Sequence, residues 1–461
     1  MKIERFEVPG LAQYSYVVSA DGKAAVIDAI RDVDRYLEYA AQESLTITHV
    51  LETHIHADFA AGSTALADAT GAELALSGYD QGELYVYSMP HRALSDTDTI
   101  EIGSLRLRIV HTPGHTPEHI SFVLFDTQRS ATEPAAIFSG DFLFVGSLGR
   151  PDLLGEEAKQ DLARQLYVSL HTRIASLPDG IAVYPGHGAG SLCGSGMSER
   201  AESTLGYERI TNPLFEKNEQ DFIREILSSV PPMPAYYPRM KELNSHGAAV
   251  LKTIPGGLKL SSMELKELRA QPDVAVIDLR RPEAFGGAHI AGSINIGAGQ
   301  NLSLWAGWMV DPAQRIVIVS DRGDDEVSRR ALIRVGLDRI TGYLAKGMPA
   351  WIDAGLDFAR TSQVSTAEVL HREGASFVLD VRSASEWASG HIEGATHIML
   401  GDLAKRLHEV PSDRPIITIC GSGYRSSIAA SVLASHGFSN ISSMDGGMAA
   451  WNERKLPTVA D

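Results

Sequence analysis

The second half of the chain contains an internal repeat of about 100 residues. Three motifs each occur twice in the same order: VIDLR and VLDVR (276–280, 378–382), HIAGS and HIEGA (289–293, 391–395), GMPAW and GMAAW (347–351, 447–451). This period is too long for a solenoid repeat and indicates a duplicated domain. Because apolar strand-like runs alternate with helical patterns in each copy, we predict two doubly wound α/β domains, at 258–357 and 360–461.

The second copy carries a cysteine loop where an apolar strand meets a helix. Strand-like residues 415–419 lead into the six residues CGSGYR, and a helical pattern follows from about residue 426 to 436. Successive backbone N–H groups at a helix N-terminus, closed by an arginine, stabilise a thiolate. We therefore predict that Cys420 is a nucleophile rather than a small buried hydrophobe. The other loop residues would bind the substrate: Gly421, Ser422, Gly423, Tyr424 and Arg425.

Both copies resemble rhodaneses, in the Asp-x-Arg, His-Ile-x-Gly and Gly-Met-x-Ala-Trp motifs. Rhodaneses are sulfurtransferases, and six residues from cysteine to arginine is their loop length, whereas the related phosphatases use one more. The resemblance implies that Cys420 carries a persulfide and that Arg425 belongs to the catalytic loop.

The first copy lacks this loop chemistry. Its equivalent strand, 316–320, leads into DRGDDE, so that Asp321 replaces the cysteine and Glu326 replaces the arginine. A carboxylate cannot carry sulfane sulfur, and an acidic loop repels anionic donors. We predict an inactive rhodanese-like domain with a scaffolding role. An alternative is that the acidic loop binds a basic patch of a partner.

Strand-like runs in the first half of the chain each end in a residue of metal-ligand type. Taken alone, the segment THIHADF (53–59) could be a solvated turn, but three more strand ends carry ligand-type side chains. Strand ends position side chains rigidly, and four such coincidences predict a metal site. The candidates, in chain order, are His54, His56, Asp58, His115, Asp141 and His187.

Residues 1–245 resemble the metallo-β-lactamase superfamily, in the branch of glyoxalase II and the persulfide dioxygenases. The resemblance implies an αββα sandwich. Glyoxalase II needs His-x-His-x-Asp-His for two metals, but Phe59 stands at the last position here. Persulfide dioxygenases use one Fe(II) per chain, and the matching ligands are His54, His115 and Asp141. Such a ligand set leaves open coordination positions on the metal for substrate and O2. We expect iron rather than zinc at this site.

The remaining candidate residues follow from the same resemblance. His56, Asp58 and His187 would orient ligands and water. Arg150 would bind an anionic group of the substrate, the alternative being a solvated arginine. Cys193, in a Gly-rich loop after His187, would take up sulfur or assist substrate exchange, the alternative being a small buried hydrophobe.

Together these features predict a persulfide dioxygenase fused to an inactive and an active rhodanese. The expected reaction oxidises a low-molecular-weight thiol persulfide, of glutathione or coenzyme A type, with O2 to sulfite, thiosulfate or both. One alternative is a glyoxalase II-like, zinc-dependent thioester hydrolase fused to a rhodanese. Another is a sulfur carrier in which the metal is structural.

Composition restricts the partners. The net charge of −17 argues against nucleic acid and anionic membrane surfaces. No apolar run approaches the roughly 18 residues of a membrane span. Two cysteines in different predicted domains, together with a mixed-charge N-terminus, lead us to expect a cytoplasmic protein, and we expect a homo-oligomer.

The connection between the halves is rich in proline. Residues 246–257 are predicted to be a linker. The preceding strip PPMPAYYPR (231–239) is predicted to contain no helix and to serve as a substrate entrance or an interdomain connector.

Overall fold

The computed structural model describes residues 1–321, 323–371 and 376–460, so that Arg322 of the predicted acidic loop lies outside the described residues. The chain forms two compact units. Unit 1 comprises Met1–Lys252 and Ile333–Gly336, and unit 2 comprises Thr253–Leu332 and Leu337–Asp461.

The first sheet of unit 1 has its strands in sequence order. Its strands are β1 (Lys2–Val8), β2 (Gln13–Ala20), β3 (Lys23–Ile27), β4 (Thr46–Leu51), β5 (Glu73–Ser77) and β6 (Arg92–Leu94). Strands β1, β2 and β3 are antiparallel, and β3 to β6 are parallel. Asp21 and Gly22 join β2 to β3, both with positive φ (51° and 75°), which is the conformation that Asp-Gly favours in a two-residue hairpin loop.

The second sheet of unit 1 has the order β12-β11-β10-β9-β8-β7. Its strands are β7 (Thr99–Ile102), β8 (Leu105–His111), β9 (Ile120–Asp126), β10 (Ala136–Gly140), β11 (Ala182–Pro185) and β12 (Ser203–Thr204). The neighbours are antiparallel except for β10 and β11, which run parallel.

The two sheets of unit 1 pack face to face. Tyr16 and Val18 of the first sheet share one buried apolar cluster with Ile100, Leu107 and Phe122 of the second. Helices cover the outer faces: α1 (Asp34–Gln42), α2 (Ser63–Thr70), α3 (Lys159–Val168), α4 (Leu205–Thr211), α5 (Glu219–Ser228) and α6 (Tyr237–His246). This arrangement confirms the predicted αββα sandwich.

Helix α6 begins inside the proline strip, so the prediction of no helix there is wrong for its last three residues. Pro238 occupies the first helical turn, where the missing N–H has no intrahelical acceptor to lose.

The described part of the C-terminal half holds two parallel five-stranded sheets, ordered β13-β17-β16-β14-β15 and β18-β22-β21-β19-β20. The strands are β13 (Leu258–Leu260), β14 (Val274–Asp278), β15 (Ile294–Asn295), β16 (Arg315–Val319), β17 (Ile340–Leu344), β18 (Ser362–Val364), β19 (Phe377–Asp380), β20 (Thr396–His397), β21 (Ile416–Ile419) and β22 (Ile441–Met444).

Helices alternate with these strands, as predicted for doubly wound domains. They are α7 (Ser262–Leu268), α8 (Pro282–Gly287), α9 (Leu302–Met309), α10 (Glu326–Ile333), α11 (Gly347–Asp353), α12 (Thr366–Leu370), α13 (Ala384–Ala388), α14 (Tyr424–Ser435) and α15 (Gly447–Glu453). Among the described residues, no helix is both long and apolar enough to cross a bilayer.

The repeated motifs have a structural role in both copies. Arg280 is paired with Asp278, and Arg382 with Asp380, in buried ion pairs at the ends of β14 and β19. Each arginine also donates to a backbone carbonyl eight residues later, so the charged pair is satisfied by hydrogen bonds. The Asp-x-Arg motif therefore stabilises the fold in each copy.

Candidate active sites

Three ligand-type atoms converge where β4, β8 and β10 lead into loops. His54 Nε2 and His115 Nε2 lie 3.8 and 3.5 Å from Asp141 Oδ2, and the three atoms lie within 4.8 Å of one another. All three side chains are buried, and none of these atoms has a hydrogen-bond partner among the described residues. A buried polar atom without a partner costs roughly 1–3 kcal/mol, so three together fit a site for a cation.

The opposite ring nitrogens fix the two histidines. His54 Nδ1 lies 2.9 Å from Thr53 Oγ1, which itself donates to Asp28 at 2.9 Å. His115 Nδ1 donates to the carbonyl oxygen of Arg150 at 2.9 Å. This bonding places the proton on Nδ1 of each ring and turns Nε2 towards Asp141, the arrangement that metal-binding histidines use.

Burial sets the charge of these rings. Desolvation, reinforced by the neighbouring histidines, lowers the pKa of His54 and His115 well below the usual range. Neutral imidazoles are the form that binds a metal ion.

His187 bridges two carboxylates. Its ring N–H groups donate to Asp141 Oδ1 at 2.7 Å and Asp58 Oδ2 at 2.8 Å. Burial acts to lower the pKa of His187, but the two carboxylates outweigh it and raise that pKa well above the ordinary value. His187 thus holds the Asp141 carboxylate by Oδ1, so that Oδ2 of Asp141 lies towards His54 and His115.

His56 lies beside this cluster but outside it. Its Nε2 donates to Asp28 at 3.1 Å, and its Nδ1 has no hydrogen-bond partner in the part of the chain that the structure describes. Neither nitrogen belongs to the group of three atoms within 4.8 Å. Phe59 is buried against the His56 ring, with ring centroids 4.3 Å apart, and supplies no ligand atom.

A second group of ligand-type atoms comprises Asp58, His187 and Cys193, again within 4.8 Å of one another. Cys193 is 1% exposed. Desolvation, together with the carboxylates of Asp58 and Asp141, raises the pKa of its thiol well above the usual value. Burial and the two carboxylates thus oppose a thiolate at Cys193, and its role in sulfur uptake or substrate exchange stays a prediction.

Arg150 is buried rather than solvated, and its guanidinium already has partners, while its predicted role in binding an anionic substrate group stays a prediction. Its Nε and Nη2 donate to Asp152 at 2.7 and 2.8 Å, and its Nη1 donates to the carbonyl of Leu192 at 2.9 Å. The backbone of Arg150 bonds to the carbonyl of Cys193 at 2.9 Å. Arg150 therefore ties the Cys193 loop to the segment that orients His115.

Helix α6 supplies side chains to the site that no sequence motif singled out. Lys241 Nζ donates to the carbonyl of Ile55 at 2.9 Å and lies 3.7 Å from Glu118. Asn244 donates to the carbonyls of His56 and Phe59 at 2.8 and 2.7 Å.

Further bonds complete this contact. Asn244 Oδ1 accepts the N–H of Ala61 at 2.8 Å, and the hydroxyl of Tyr236 donates to Asp58 O at 3.1 Å. Helix α6 and the residue before it thus bind four carbonyls and one N–H of the loop that carries His54. A sequence pattern shows that such residues are polar, but it does not show that they are buried.

The cysteine loop of the second copy lies between two helix N-termini. Cys420 is fully buried at the end of β21, and its Sγ accepts the N–H of Gly423 at 3.1 Å. Gly423 has φ 102°, which requires glycine. The first turn of α15 donates to the loop through Met448 N to Cys420 O at 2.8 Å.

Arg425 is held by a residue that the sequence analysis missed. Its two terminal nitrogens donate to the two carboxylate oxygens of Glu386 at 2.7 and 2.6 Å. Partial burial acts to raise the pKa of Glu386, but the bonds from Arg425 and Ser383 hold that pKa at about 2. Of the other loop residues, Ser422 is exposed, and Tyr424 donates to the carbonyl of Gly297 in the first copy at 2.8 Å.

The acidic loop of the first copy is engaged in ion pairs. Asp324 lies 2.9 Å from Arg329, and Glu326 lies 2.7 Å from Arg330. A cavity of about 600 Å³ adjoins the loop, with Asp321 and Tyr424 among its lining residues.

Family models match most of the chain. Residues 8–187 match the metallo-beta-lactamase superfamily. A crystal structure of a metallo-beta-lactamase from Staphylococcus aureus subsp. aureus COL is 37% identical in sequence to this chain. The match covers 75% of this chain and 99% of that one, with a TM-score of 0.66. The chain belongs to the metallo-β-lactamase superfamily. This superfamily member also carries two rhodanese-like domains, matched over residues 261–354 and 364–454.

Other relatives cover the metallo-β-lactamase part. A hydroxyacylglutathione hydrolase of Polaromonas sp. is 34% identical over 177 residues, which are 38% of this chain and 61% of that protein. The ETHE1 crystal structure from Myxococcus xanthus is 29% identical and covers 53% of this chain and all of that one, with a TM-score of 0.44.

Proposed function

We propose that unit 1 is a persulfide dioxygenase with one Fe(II) and that Cys420 is the nucleophile of a sulfurtransferase in the same chain. The observation that carries this proposal is the set of three unpartnered atoms on His54, His115 and Asp141. Two histidines and one carboxylate on one side of a metal are the ligand set of non-haem Fe(II) oxygenases, with the other positions open.

The surrounding residues fit that ligand set. Phe59 offers no nitrogen to a second metal. The Asp141 oxygen that does not face His54 and His115, Oδ1, accepts a hydrogen bond from His187. Bound Fe(II) would supply the activation of O2. The chain itself fixes the ligands through Thr53, Arg150 and His187 and excludes water by burying all three ligand side chains.

The overall reaction consumes one persulfide and one O2. RSSH, O2 and H2O give RSH, sulfite and two protons, so that the terminal sulfur is oxidised and the thiol leaves unchanged. The substrate class is a low-molecular-weight thiol persulfide.

Cys420 would transfer sulfane sulfur. Its thiolate attacks the terminal sulfur of a donor, a new S–S bond forms, and the donor S–S bond breaks with its electron pair on the leaving group. Sulfite then attacks the Cys420 persulfide, which gives thiosulfate and restores the thiolate. Joining both activities in one chain raises the effective concentration of the intermediate.

A zinc-dependent thioester hydrolase is the second candidate for unit 1. The Polaromonas relative, named a hydroxyacylglutathione hydrolase, favours it. A second metal would then have to use Asp58, His187 and Cys193, since Phe59 is not a ligand.

Oxygen uptake with glutathione persulfide, measured on full-length protein whose bound metal is quantified, tests the proposal. We expect about one iron per chain and persulfide-dependent uptake. His54→Ala should abolish oxygen uptake and leave thiosulfate:cyanide sulfur transfer intact. Cys420→Ser should abolish sulfur transfer, keep oxygen uptake and shift the product towards sulfite. His246→Ala, at an exposed position of α6, is the control. Zinc, no uptake and thioester hydrolysis would establish the alternative.

A further inference from the structure

We propose that Glu386 determines the donor specificity of Cys420 by neutralising Arg425, so that the loop disfavours the dianion thiosulfate relative to a thiol persulfide, whose reacting S–S group carries one negative charge. This inference rests on the proposed sulfur transfer by Cys420 and assigns its preferred substrate class.

Arg425 and Glu386 form a two-pronged ion pair across the cysteine loop. The two bonds of 2.6 and 2.7 Å use both terminal nitrogens of the guanidinium and both carboxylate oxygens. A Cβ placed on Gly421 would lie 3.1 Å from Arg425 Nη2 and 3.5 Å from Glu386 Oε1. Both charges therefore lie against the residue that follows Cys420.

The pair is held by several hydrogen bonds and carries no net charge. Glu386 is fixed from a second side, because its Oε2 also accepts bonds from the N–H and hydroxyl of Ser383 at 3.0 and 2.9 Å. The side chains of Arg425 and Glu386 are 22% and 38% exposed, so an incoming anion meets both of them. An arginine bound in this way attracts anions far less than a free one.

A second arginine of this copy is also neutralised. Arg382 is paired with Asp380 at 2.7 Å in the domain interior. The loop is thus suited to a donor that needs little positive charge.

The two copies show that the Glu386–Arg425 pair belongs to the chemistry rather than to the fold. The Asp-x-Arg ion pair is present in both copies. By contrast, Ala284 stands in the first copy where Glu386 stands in the second, and Glu326 stands where Arg425 does. Both members of the pair are therefore absent from the copy that lacks the nucleophile.

Donor charge is the property that this pair would discriminate. With thiosulfate, the Cys420 thiolate takes the outer sulfur and sulfite leaves with two negative charges. This is the reverse of the thiosulfate formation proposed above, so the pair slows that exchange in both directions. With a persulfide anion, the same bond change releases a thiolate, which carries one negative charge. Repulsion between the Cys420 thiolate and the donor is about twice as large for thiosulfate as for a singly charged persulfide group, and a neutralised Arg425 does not offset it.

The test compares two donors, thiosulfate and 2-hydroxyethyl persulfide. Loading of Cys420 in the full-length protein is followed after rapid quenching by intact-protein mass spectrometry, at limiting donor and constant ionic strength. Glu386→Gln keeps the shape of the side chain and removes its charge. We expect the ratio of the thiosulfate to the persulfide rate constant to rise roughly 3- to 10-fold.

A control variant separates charge from helix capping. Glu368→Gln removes the matching capping carboxylate of α12, which bonds to Ser365 and to no arginine among the described contacts. The ratio should stay unchanged in this control.

Equal losses with both donors in Glu386→Gln would overturn the inference, because the pair would then be structural. The salt dependence of the wild type is a second measurement. The ratio of the thiosulfate to the persulfide rate constant should not fall as the salt concentration rises. With an unpaired Arg425, the thiosulfate rate constant would instead fall steeply with salt. Failure of both donors to load wild-type Cys420 would instead overturn the proposed sulfur transfer itself, and this inference with it.

Discussion

The side-chain amide of Asn244 donates a 2.7 Å hydrogen bond to the carbonyl oxygen of Phe59, 185 residues earlier in the chain. The same buried side chain binds the carbonyl of His56 and the N–H of Ala61. One residue of α6 therefore satisfies three backbone groups of the loop that carries His54. The position of the candidate metal ligands depends on this helix.

Asn244→Ala should destabilise unit 1 by roughly 2–4 kcal/mol, because it leaves buried carbonyl and N–H groups without partners. The bound metal should decrease as well, since the loop loses its support. Thermal unfolding and metal analysis on the same preparation measure both effects. Asn218→Ala, at the exposed N-cap of α5, should cost only about 1 kcal/mol and leave the metal unchanged.

His56→Ala and His115→Ala should differ in metal content. His115 Nε2 belongs to the group within 4.8 Å, whereas His56 is bonded to Asp28 beside it. We expect His115→Ala to lose the metal and His56→Ala to retain it with an affinity about 10- to 100-fold lower. Iron titration of the metal-free proteins distinguishes them. Equal loss in both variants would contradict a site of two histidines and one carboxylate.

Asn295→Ala should weaken sulfur transfer although Asn295 belongs to the first copy, which lacks the cysteine. Its side chain accepts from Ser427 at 2.6 Å and donates to the carbonyls of Asp278 and Arg280 at 3.0 and 2.9 Å. Helix α14, which follows the cysteine loop, is thus bonded to the first copy.

We expect a loss of stability of roughly 2–4 kcal/mol and slower loading of Cys420, with oxygen uptake unchanged. Asn301→Ala, exposed in the same copy and without a capping bond, is the control. Unaltered loading in Asn295→Ala would show that the first copy does not support the cysteine loop.

The stability difference between wild type and Glu386→Gln should depend on pH in the acid range. Folding depresses the pKa of Glu386 from 4.5 to about 2, so the stability it contributes is fully present above about pH 4.5 and is lost as the pH falls towards about 2. Thermal midpoints of the full chain should therefore differ by a constant amount from about pH 8 to 5 and converge below. A difference unchanged at about pH 3 would contradict the ion pair in solution.

Much of the architecture followed from residue patterns. The repeat predicted two doubly wound domains because motifs separated by a fixed distance require the same fold twice. Strand-like runs ending in His115, Asp141 and His187 predicted which side chains meet, because neighbouring strands bring their ends to one edge of a sheet. The Cys420 loop was recognisable since all its residues are adjacent in the chain.

The remaining features depend on contacts between distant residues. Arg150 was expected to bind an anionic substrate group, but each of its three guanidinium nitrogens already donates a hydrogen bond, two to Asp152 and one to the Leu192 carbonyl. Glu386 was not singled out, because its 39-residue separation from Arg425 carries no periodic signal. Proline in the strip 231–239 suggested an irregular segment, although helix α6 begins there.

The sequence by itself determined which groups are present and on which strand ends they stand: two imidazoles and a carboxylate in one half, and a thiol beside backbone N–H groups in the other. Tertiary structure decided which of these groups have partners. Three ligand atoms are left unpaired at His54, His115 and Asp141, whereas the charge of Arg425 is cancelled by Glu386. The physical reason is that hydrogen bonding and desolvation depend on distances in space, which local patterns do not specify.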